Sequence, residues 1–218
     1  MRTLEGLSDA LATTGEIRSI VRTMKALSAA SIRHYEQAET ALADYERTVE
    51  LGLMAVLRDR RARGEVLPPR GAPATGPEAL IVVGSDRGLC GRYNETVVRF
   101  AEDRIGPETR ILGVIGARAA ARLEAGGRAP DRVLAVPGSP DGLAPAVQRV
   151  IIAIDRWTRE NAVAHVRLVH NRRAGASLAR PAEEMLLPLS RAYLEGLATR
   201  DWPGRSLPAF RAPPGALV

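Results

Sequence analysis

The densest group of residues that could do chemistry is the octapeptide GSDRGLCG, Gly84–Gly91, which directly follows a short apolar run. A glycine-rich loop after a strand is where doubly wound folds bind phosphate, because the missing side chains let backbone N–H groups approach the ligand. The spacing here is G-x3-G-x2-G, which differs from the dinucleotide fingerprint G-x-G-x-x-G, and no G-K-[ST] follows. The spacing therefore favours a structural loop or a loop that contacts a protein partner, with nucleotide binding as the alternative.

The same octapeptide contains the only cysteine of the sequence, Cys90, beside Asp86 and Arg87. A charged neighbour can activate a thiol, but no general base lies nearby in sequence, and a free cysteine usually behaves as a small buried residue. We therefore expect Asp86 and Arg87 to pair with each other or with the backbone, and Cys90 to be buried. One cysteine allows no disulfide within these 218 residues, which fits a reducing compartment.

The three histidines predict neither a metal site nor a catalytic pair. His165 and His170 are five residues apart on or beside a predicted strand, which places them on opposite faces, and His34 lies on a predicted helix between charged and aromatic neighbours. We predict no catalytic residue, no cofactor and no metal ligand. The sequence indicates a mechanical or scaffolding role and no enzymatic activity of its own.

The charge pattern also limits the partners. The net charge is +6, but the excess is spread over the second half of the sequence without a run of like charges, so we predict no nucleic-acid partner. Apolar runs are only a few residues long, far below the roughly 20 needed to span a bilayer. We expect membrane contact only through other proteins, without direct lipid insertion.

The elements that must position these residues begin with one long helix, predicted over residues 1–61, which contain no proline. Apolar or small residues recur there in an unbroken 4-3 alternation, and a 3.5-residue period is typical of a coiled-coil seam. Such a helix needs another helix against it, and a homodimer is one option. The seam consists of Ile17, Val21, Met24, Ser28, Ser31, Tyr35, Ala38, Leu42, Tyr45, Val49, Gly52 and Val56.

A Rossmann-like parallel sheet with helices on both faces is predicted over residues 79–190, after a Pro/Gly linker at 62–78. Strands and helices alternate there, and the pattern becomes irregular after Asn171. An extended segment at Met185–Leu189, a short helix at Arg191–Thr199 and a Pro-rich tail to residue 218 follow. The predicted strands are Ala79–Val83, Arg110–Ile115, Arg132–Val136 and His165–Val169, and the predicted helices are Asn94–Asp103, Ala117–Glu124 and Gly142–Arg159.

Two of these segments together resemble the γ subunit of F-type ATP synthases. Ile20–Arg33, IVRTMKALSAASIR, is similar to that family's K-A-M-x-M-V-A-A-x-K-x-R helix signature, and Ile81–Asn94 is similar to its S-x-D-R-G-L-C-G-x-x-N loop. Asn171-Arg172 and Leu186–Leu189 match its N-R-F and LLP stretch. The sequence R-T-M-K-A-L and the segment Trp202–Pro208 resemble those of a divergent, sodium-linked branch of F-type ATPases.

The resemblance implies a rotor shaft: a γ subunit whose helix turns inside an α3β3 ring and whose α/β domain lies near the ε subunit and the c-ring. It implies a non-catalytic, peripheral subunit on the cytoplasmic side of the cell inner membrane that couples ion transport to ATP synthesis or hydrolysis. Subunit contacts would be made by Arg18, Arg22 and Lys25 toward acidic loops of β, by Met24 at a position implicated in coupling, and by the loop residues Asp86, Arg87, Gly88, Leu89, Cys90 and Gly91.

The family also has a second long helix, which would begin after the stretch PAFRAPPGALV that ends the sequence at Val218. We expect that helix to come from a continuation of the chain or from another polypeptide, or to be missing from a defective copy. The coupling ion and the direction of the cycle stay open. Two alternatives from other classes are a homodimeric coiled-coil adaptor with an α/β binding domain and a small nucleotide-binding α/β protein.

Overall fold

A computed structural model of the chain describes residues 3–65, 76–175 and 179–206, and the chain divides after Val49 into two compact units. Ten of the residues predicted as a linker (66–75), residues 207–208 of the segment compared with the sodium-linked branch, and the Pro-rich tail beyond residue 206 lie outside the described residues. No helix within the described ranges is long and apolar enough to cross a membrane.

The first element is helix α1, Leu4–Ala62, and the predicted long helix is confirmed. Its many Ser and Thr residues do not interrupt it, because several hydroxyls donate to the carbonyl four residues earlier, as Thr14 does to Ala10 at 2.7 Å and Ser31 to Leu27 at 2.9 Å. Its seam side chains up to Val49 are exposed, except for the half-buried Ala38, with 54% of Ile17 and 50% of Val49 accessible. Pairing of the seam with a second helix stays a prediction.

The second unit contains a five-stranded sheet in the order β3-β2-β1-β4-β5. The first four strands are mutually parallel, and β5 is antiparallel to β4. The strands are β1 Glu78–Val83, β2 Thr109–Ile115, β3 Arg132–Leu134, β4 His165–Arg173 and β5 Ala179–Leu187; the helices of this unit are α2 Tyr93–Glu102, α3 Ala117–Ala125, α4 Leu143–Glu160 and α5 Arg191–Thr199, with a short 3-10 turn at Pro140–Gly142.

Helices cover both faces of the sheet, as predicted. Alternate side chains of β1 point to opposite faces, so Leu80 and Val82 pack with residues of α2 and α3, whereas Ile81 packs with Ala153 and Trp157 of α4. The near-continuous burial of β1 is what a central parallel strand requires. The α/β fold class is confirmed.

The sheet differs from the prediction at its fifth strand. The sheet is mixed, not purely parallel, because β5 returns antiparallel beside β4, and it occupies Ala179–Leu187 where we predicted an extended segment at Met185–Leu189. Strand β4 also continues to Arg173, four residues past its predicted end at Val169. The four residues added to β4 are polar, and Arg172 pairs with Glu184 of β5. This part of the strand therefore shows no alternation of apolar and polar residues in the sequence.

The last turns of α1 belong to the second unit, where they pack against α5. Met54 and Leu57 are fully buried with Leu194 and Leu197. Helix α5 begins at a Ser190 cap whose hydroxyl accepts from the Tyr193 N–H at 3.1 Å. This packing lies within the second unit, which begins at Glu50.

Candidate subunit interfaces

The loop predicted to contact partners begins at Gly84, at the end of β1, where the chain passes very close to α3. A Cβ atom on Gly84 would overlap the Ala119 Cβ and lie 2.7 Å from the Asn94 Oδ1. The facing Gly116 has a φ of 109° and is also in close contact, because a Cβ there would lie 2.7 Å from the Ser85 nitrogen. These two glycines let the β1 and β2 ends approach each other and set the loop's starting point.

Asp86 connects this loop to the start of α3 and to the segment that follows β3. Its Oδ1 accepts from the Ala117 N–H at 2.7 Å, at the start of α3, and its Oδ2 accepts from the Val136 N–H at 2.8 Å. A carboxylate is favoured at a helix N-terminus, where backbone N–H groups lack partners within the helix. The expectation that Asp86 pairs with the backbone is confirmed, and both of its carboxylate oxygens are engaged in these bonds.

Asn94 holds the loop from the inside. It is the buried polar side chain of the described core, 9% exposed, and its Oδ1 accepts from the Ser85 N–H at 2.9 Å. Its Nδ2 donates to the Ser85 Oγ at 2.8 Å and approaches the Cys90 Sγ at 3.3 Å. The asparagine that closes the D-R-G-L-C-G-x-x-N pattern therefore fixes both ends of the loop.

The tip of the loop faces solvent. Arg87, Gly88, Leu89, Cys90 and Gly91 are exposed, and Leu89 is 75% exposed with a φ of 62°. A leucine seldom adopts a positive φ, so the loop holds an apolar side chain outward at a conformational cost. The expectation that Cys90 is buried is wrong: Cys90 is exposed, and its Sγ contacts Ser85, Arg87 and Asn94 on the inner side of the loop.

This geometry argues against the nucleotide-binding alternative for the loop. Phosphate-binding loops present free backbone N–H groups at a helix N-terminus. Here the Ser85 N–H is bonded to Asn94 and the Ala117 N–H to Asp86, whose negative charge occupies the place a phosphate would take. The arrangement makes a protrusion that holds Leu89 exposed to solvent.

Two residues that support the loop were not among our predicted contact residues. Tyr93 and Asn171 join α2 to β4, because the Asn171 Nδ2 donates to the Tyr93 carbonyl at 3.0 Å. Burial raises the pKa of the Tyr93 hydroxyl, although a hydrogen bond with Asn171 acts in the opposite direction. The resemblance had pointed to both positions, Tyr93 inside Ile81–Asn94 and Asn171 in the N-R pair, but only the structure brings them together.

The second predicted contact group lies on α1, in the first unit. Arg18, Arg22 and Lys25 are exposed, and within the described residues no hydrogen bond or ion pair holds their side chains. Met24, at the seam beside them, is 37% exposed. The group combines free positive charges with an uncovered apolar seam.

These features define a class of protein: a long helix with an exposed apolar seam, followed by a mixed α/β domain whose loop after β1 is held by its own side chains. The chain belongs to the ATP synthase family, whose family model, described as "ATP synthase", matches residues 3–207.

The individual relatives agree with this family. The chain is 29% identical over 201 residues to the ATP synthase gamma chain of Acaryochloris marina, a match that covers 87% of this chain and 61% of the relative. It is 33% identical over 107 residues to the gamma chain of Nostoc punctiforme, covering 48% and 33%. The chain thus spans less than two thirds of the length of these relatives. The predicted resemblance to the γ subunit is confirmed.

A solved structure shares the fold. The central stalk and c-ring structure of the Tetrahymena thermophila mitochondrial ATP synthase contains a chain that matches with a TM-score of 0.51 and 22% identity. The match covers 84% of this chain and 79% of that one. This likeness bears on the arrangement of the helices and strands alone.

Proposed function

We propose that the chain acts as the γ subunit, the central shaft, of an F-type ATP synthase, which couples ion flow through the membrane sector to ATP synthesis or hydrolysis at an α3β3 ring. The observation that carries the proposal is the exposed 4-3 seam of α1. Apolar side chains in that register are stable in water only when another surface covers them.

The partners follow from the same proposal. The α and β subunits would surround the seam and receive Arg18, Arg22 and Lys25 on acidic loops, whereas the ε subunit and the c-ring would contact the α/β domain, including the Leu89 protrusion. The protein would lie on the cytoplasmic side of the cell inner membrane and reach the bilayer through the c-ring. The loop chemistry supports this role, because Asp86 and Asn94 are engaged in structure and offer no reacting group.

Co-expression with the α and β subunits tests the proposal. We expect the 218-residue chain to co-purify with both. The variant Val21→Glu, which places a charge in the seam, is expected to abolish the association, because a charged side chain buried without a partner is strongly disfavoured. Thr23→Glu is the matched control: it introduces the same charge two residues away, outside the seam, and should co-purify as the original chain does.

The alternatives give different results in two further measurements. Analytical ultracentrifugation of the chain without α and β would show a stable dimer if the seam pairs with a second copy. Calorimetric titration with ATP would release heat if the loop binds nucleotide. Failure to co-purify, together with either of these results, would overturn the shaft assignment.

A further inference from the structure

A crevice lies between the edge strand β3 and helix α4, with a volume of about 140 Å³. Half of its lining is cationic and half is apolar. The lining residues are Arg132, Leu134, Arg149, Ile152, Ala153 and Arg156. None of them belongs to the loop or to the stripe on α1, so the predicted subunit contacts leave this crevice unexplained.

Helical spacing puts the arginines of α4 together. Arg149 and Arg156 are seven residues apart, two turns along one face of α4, with Ile152 between them. Arg132 reaches the same crevice from β3, which is the edge strand of the sheet. Three positively charged guanidinium groups therefore surround one small space.

These charges are poorly neutralised. Arg156 has one weak partner, Glu160, with the Nε and Oε2 atoms 3.8 Å apart and both side chains at least half exposed. Within the part of the chain that the structure describes, neither the Arg132 nor the Arg149 side chain has a hydrogen bond or ion pair, and no acidic residue lines the crevice. Like charges held together repel each other, and a bound anion would relieve that repulsion.

We propose that this crevice binds a phosphate monoester: a dianionic phosphate held by the three arginines, with a short apolar group against Leu134, Ile152 and Ala153. Guanidinium groups recognise phosphate through paired, charge-assisted hydrogen bonds, which suits a group with three free oxygens. The volume limits the ligand, because pockets for drug-sized molecules measure roughly 300–1,000 Å³. The crevice takes the phosphate and a few carbon atoms, which excludes a whole nucleotide.

Titration calorimetry of the 218-residue chain tests the site, with inorganic phosphate and butyl phosphate as soluble probes. We expect butyl phosphate to bind more tightly than inorganic phosphate and both to weaken as salt is added, because ions screen exposed charges. The double variant Arg149→Gln/Arg156→Gln should weaken both by about tenfold or more. Ile152→Asn should remove the preference for butyl phosphate while leaving the affinity for inorganic phosphate unchanged.

The control is Arg99→Gln, which makes the same type of substitution once on α2, a helix that packs on the opposite face of the sheet from α4. It should bind as the original chain does.

A second experiment measures sedimentation of the chain with phosphatidylcholine vesicles that contain phosphatidic acid. Arginine-dependent binding to the vesicles but not to butyl phosphate would identify a lipid headgroup as the source of the phosphate. The site would be overturned if the double variant bound the probes as tightly as the original chain does. It would also be overturned if the double variant and Arg99→Gln lost equal affinity. Circular dichroism confirms that each variant is folded.

Discussion

At the scale of single residues, the loop after β1 is an example of chemical-looking side chains used for shape. The Asn94 side chain bonds to the backbone N–H and the hydroxyl of Ser85, and Asp86 accepts from the first N–H of α3. These hydrogen bonds make the loop rigid. A rigid loop can hold Leu89 outward in an unfavourable backbone conformation, because the conformation is fixed by the surrounding hydrogen bonds. The residues that resemble a reactive site therefore fix the shape of an exposed loop.

The closest packing in this loop yields a stability prediction. Gly84→Ala would push a methyl group into Ala119 and the Asn94 amide, and overpacking of this kind costs about 1–3 kcal/mol. We expect the free energy of unfolding of the second unit to fall by this amount, which lowers the urea concentration at its unfolding midpoint. The measurement is equilibrium unfolding followed by circular dichroism.

The control for that prediction is another glycine of the same loop, Gly88. A Cβ there would meet only the Arg118 guanidinium, with the Nη2 atom 3.7 Å away, an ordinary contact. Gly88→Ala should change the free energy of unfolding by less than about 0.5 kcal/mol. Equal destabilisation by both substitutions would mean that the approach of β1 to α3 does not determine the glycine at position 84.

At the scale of elements, the sequence predicts the helices and strands that have a periodic apolar pattern, and it does not predict the strand that is held by ion pairs. The buried strand β1 and the helices on both faces follow from apolar spacing, so they were predictable from residues such as Leu80, Ile81 and Trp157. Strand β5 is rich in charged and exposed residues, and it pairs with the preceding strand β4 partly through ion pairs, such as that of Arg172 with Glu184, which leave no apolar pattern in the sequence. The exposure of Cys90 was unpredictable for a similar reason, since it depends on how Asn94 folds the loop.

The ion cluster that links these strands gives a pH prediction. Glu183 accepts from the Arg167 Nη1 at 2.7 Å and from the Arg104 Nε at 2.5 Å. Burial by itself raises the pKa of Glu183, but these hydrogen bonds outweigh it and hold that pKa below its ordinary value of 4.5. A carboxyl with a lowered pKa in the folded state contributes stability above its unfolded pKa and loses it as the pH falls through the lowered value.

We therefore expect Glu183→Gln to destabilise the second unit at neutral pH, and the difference from the original chain to shrink below pH 4.5. Urea unfolding at neutral pH and at about pH 3 measures both quantities. Glu108→Gln, an exposed carboxyl before β2, is the control and should change little at either pH. A difference that stays constant across this range would show that the Glu183 charge is not what stabilises the strand pair.

At the scale of the whole molecule, the proposed shaft function assigns different partners to the two units. The exposed cations of α1 suit acidic loops of the β subunit, and the apolar protrusion at Leu89 suits a partner of the α/β domain such as the ε subunit. Because neither group is held by neighbours that their loss would disrupt, both can be changed without unfolding the chain. This permits a test in which each substitution affects one partner and spares the other.

Arg22→Glu is expected to weaken co-purification with α and β by about tenfold or more, since a rim charge turned to the wrong sign repels an acidic surface, while binding to ε is retained. Leu89→Asn is expected to do the reverse, and asparagine tolerates the positive φ of that position, so stability should be kept. Arg47→Glu makes the same charge change further along α1 and serves as the control for Arg22. Pull-down of each of the three variants and of the original chain, first against α with β and separately against ε, measures these effects. If both substitutions weakened both partners equally, the two units would not have separate roles; if neither had an effect, the contact residues proposed from the sequence would be wrong while the family assignment would stand.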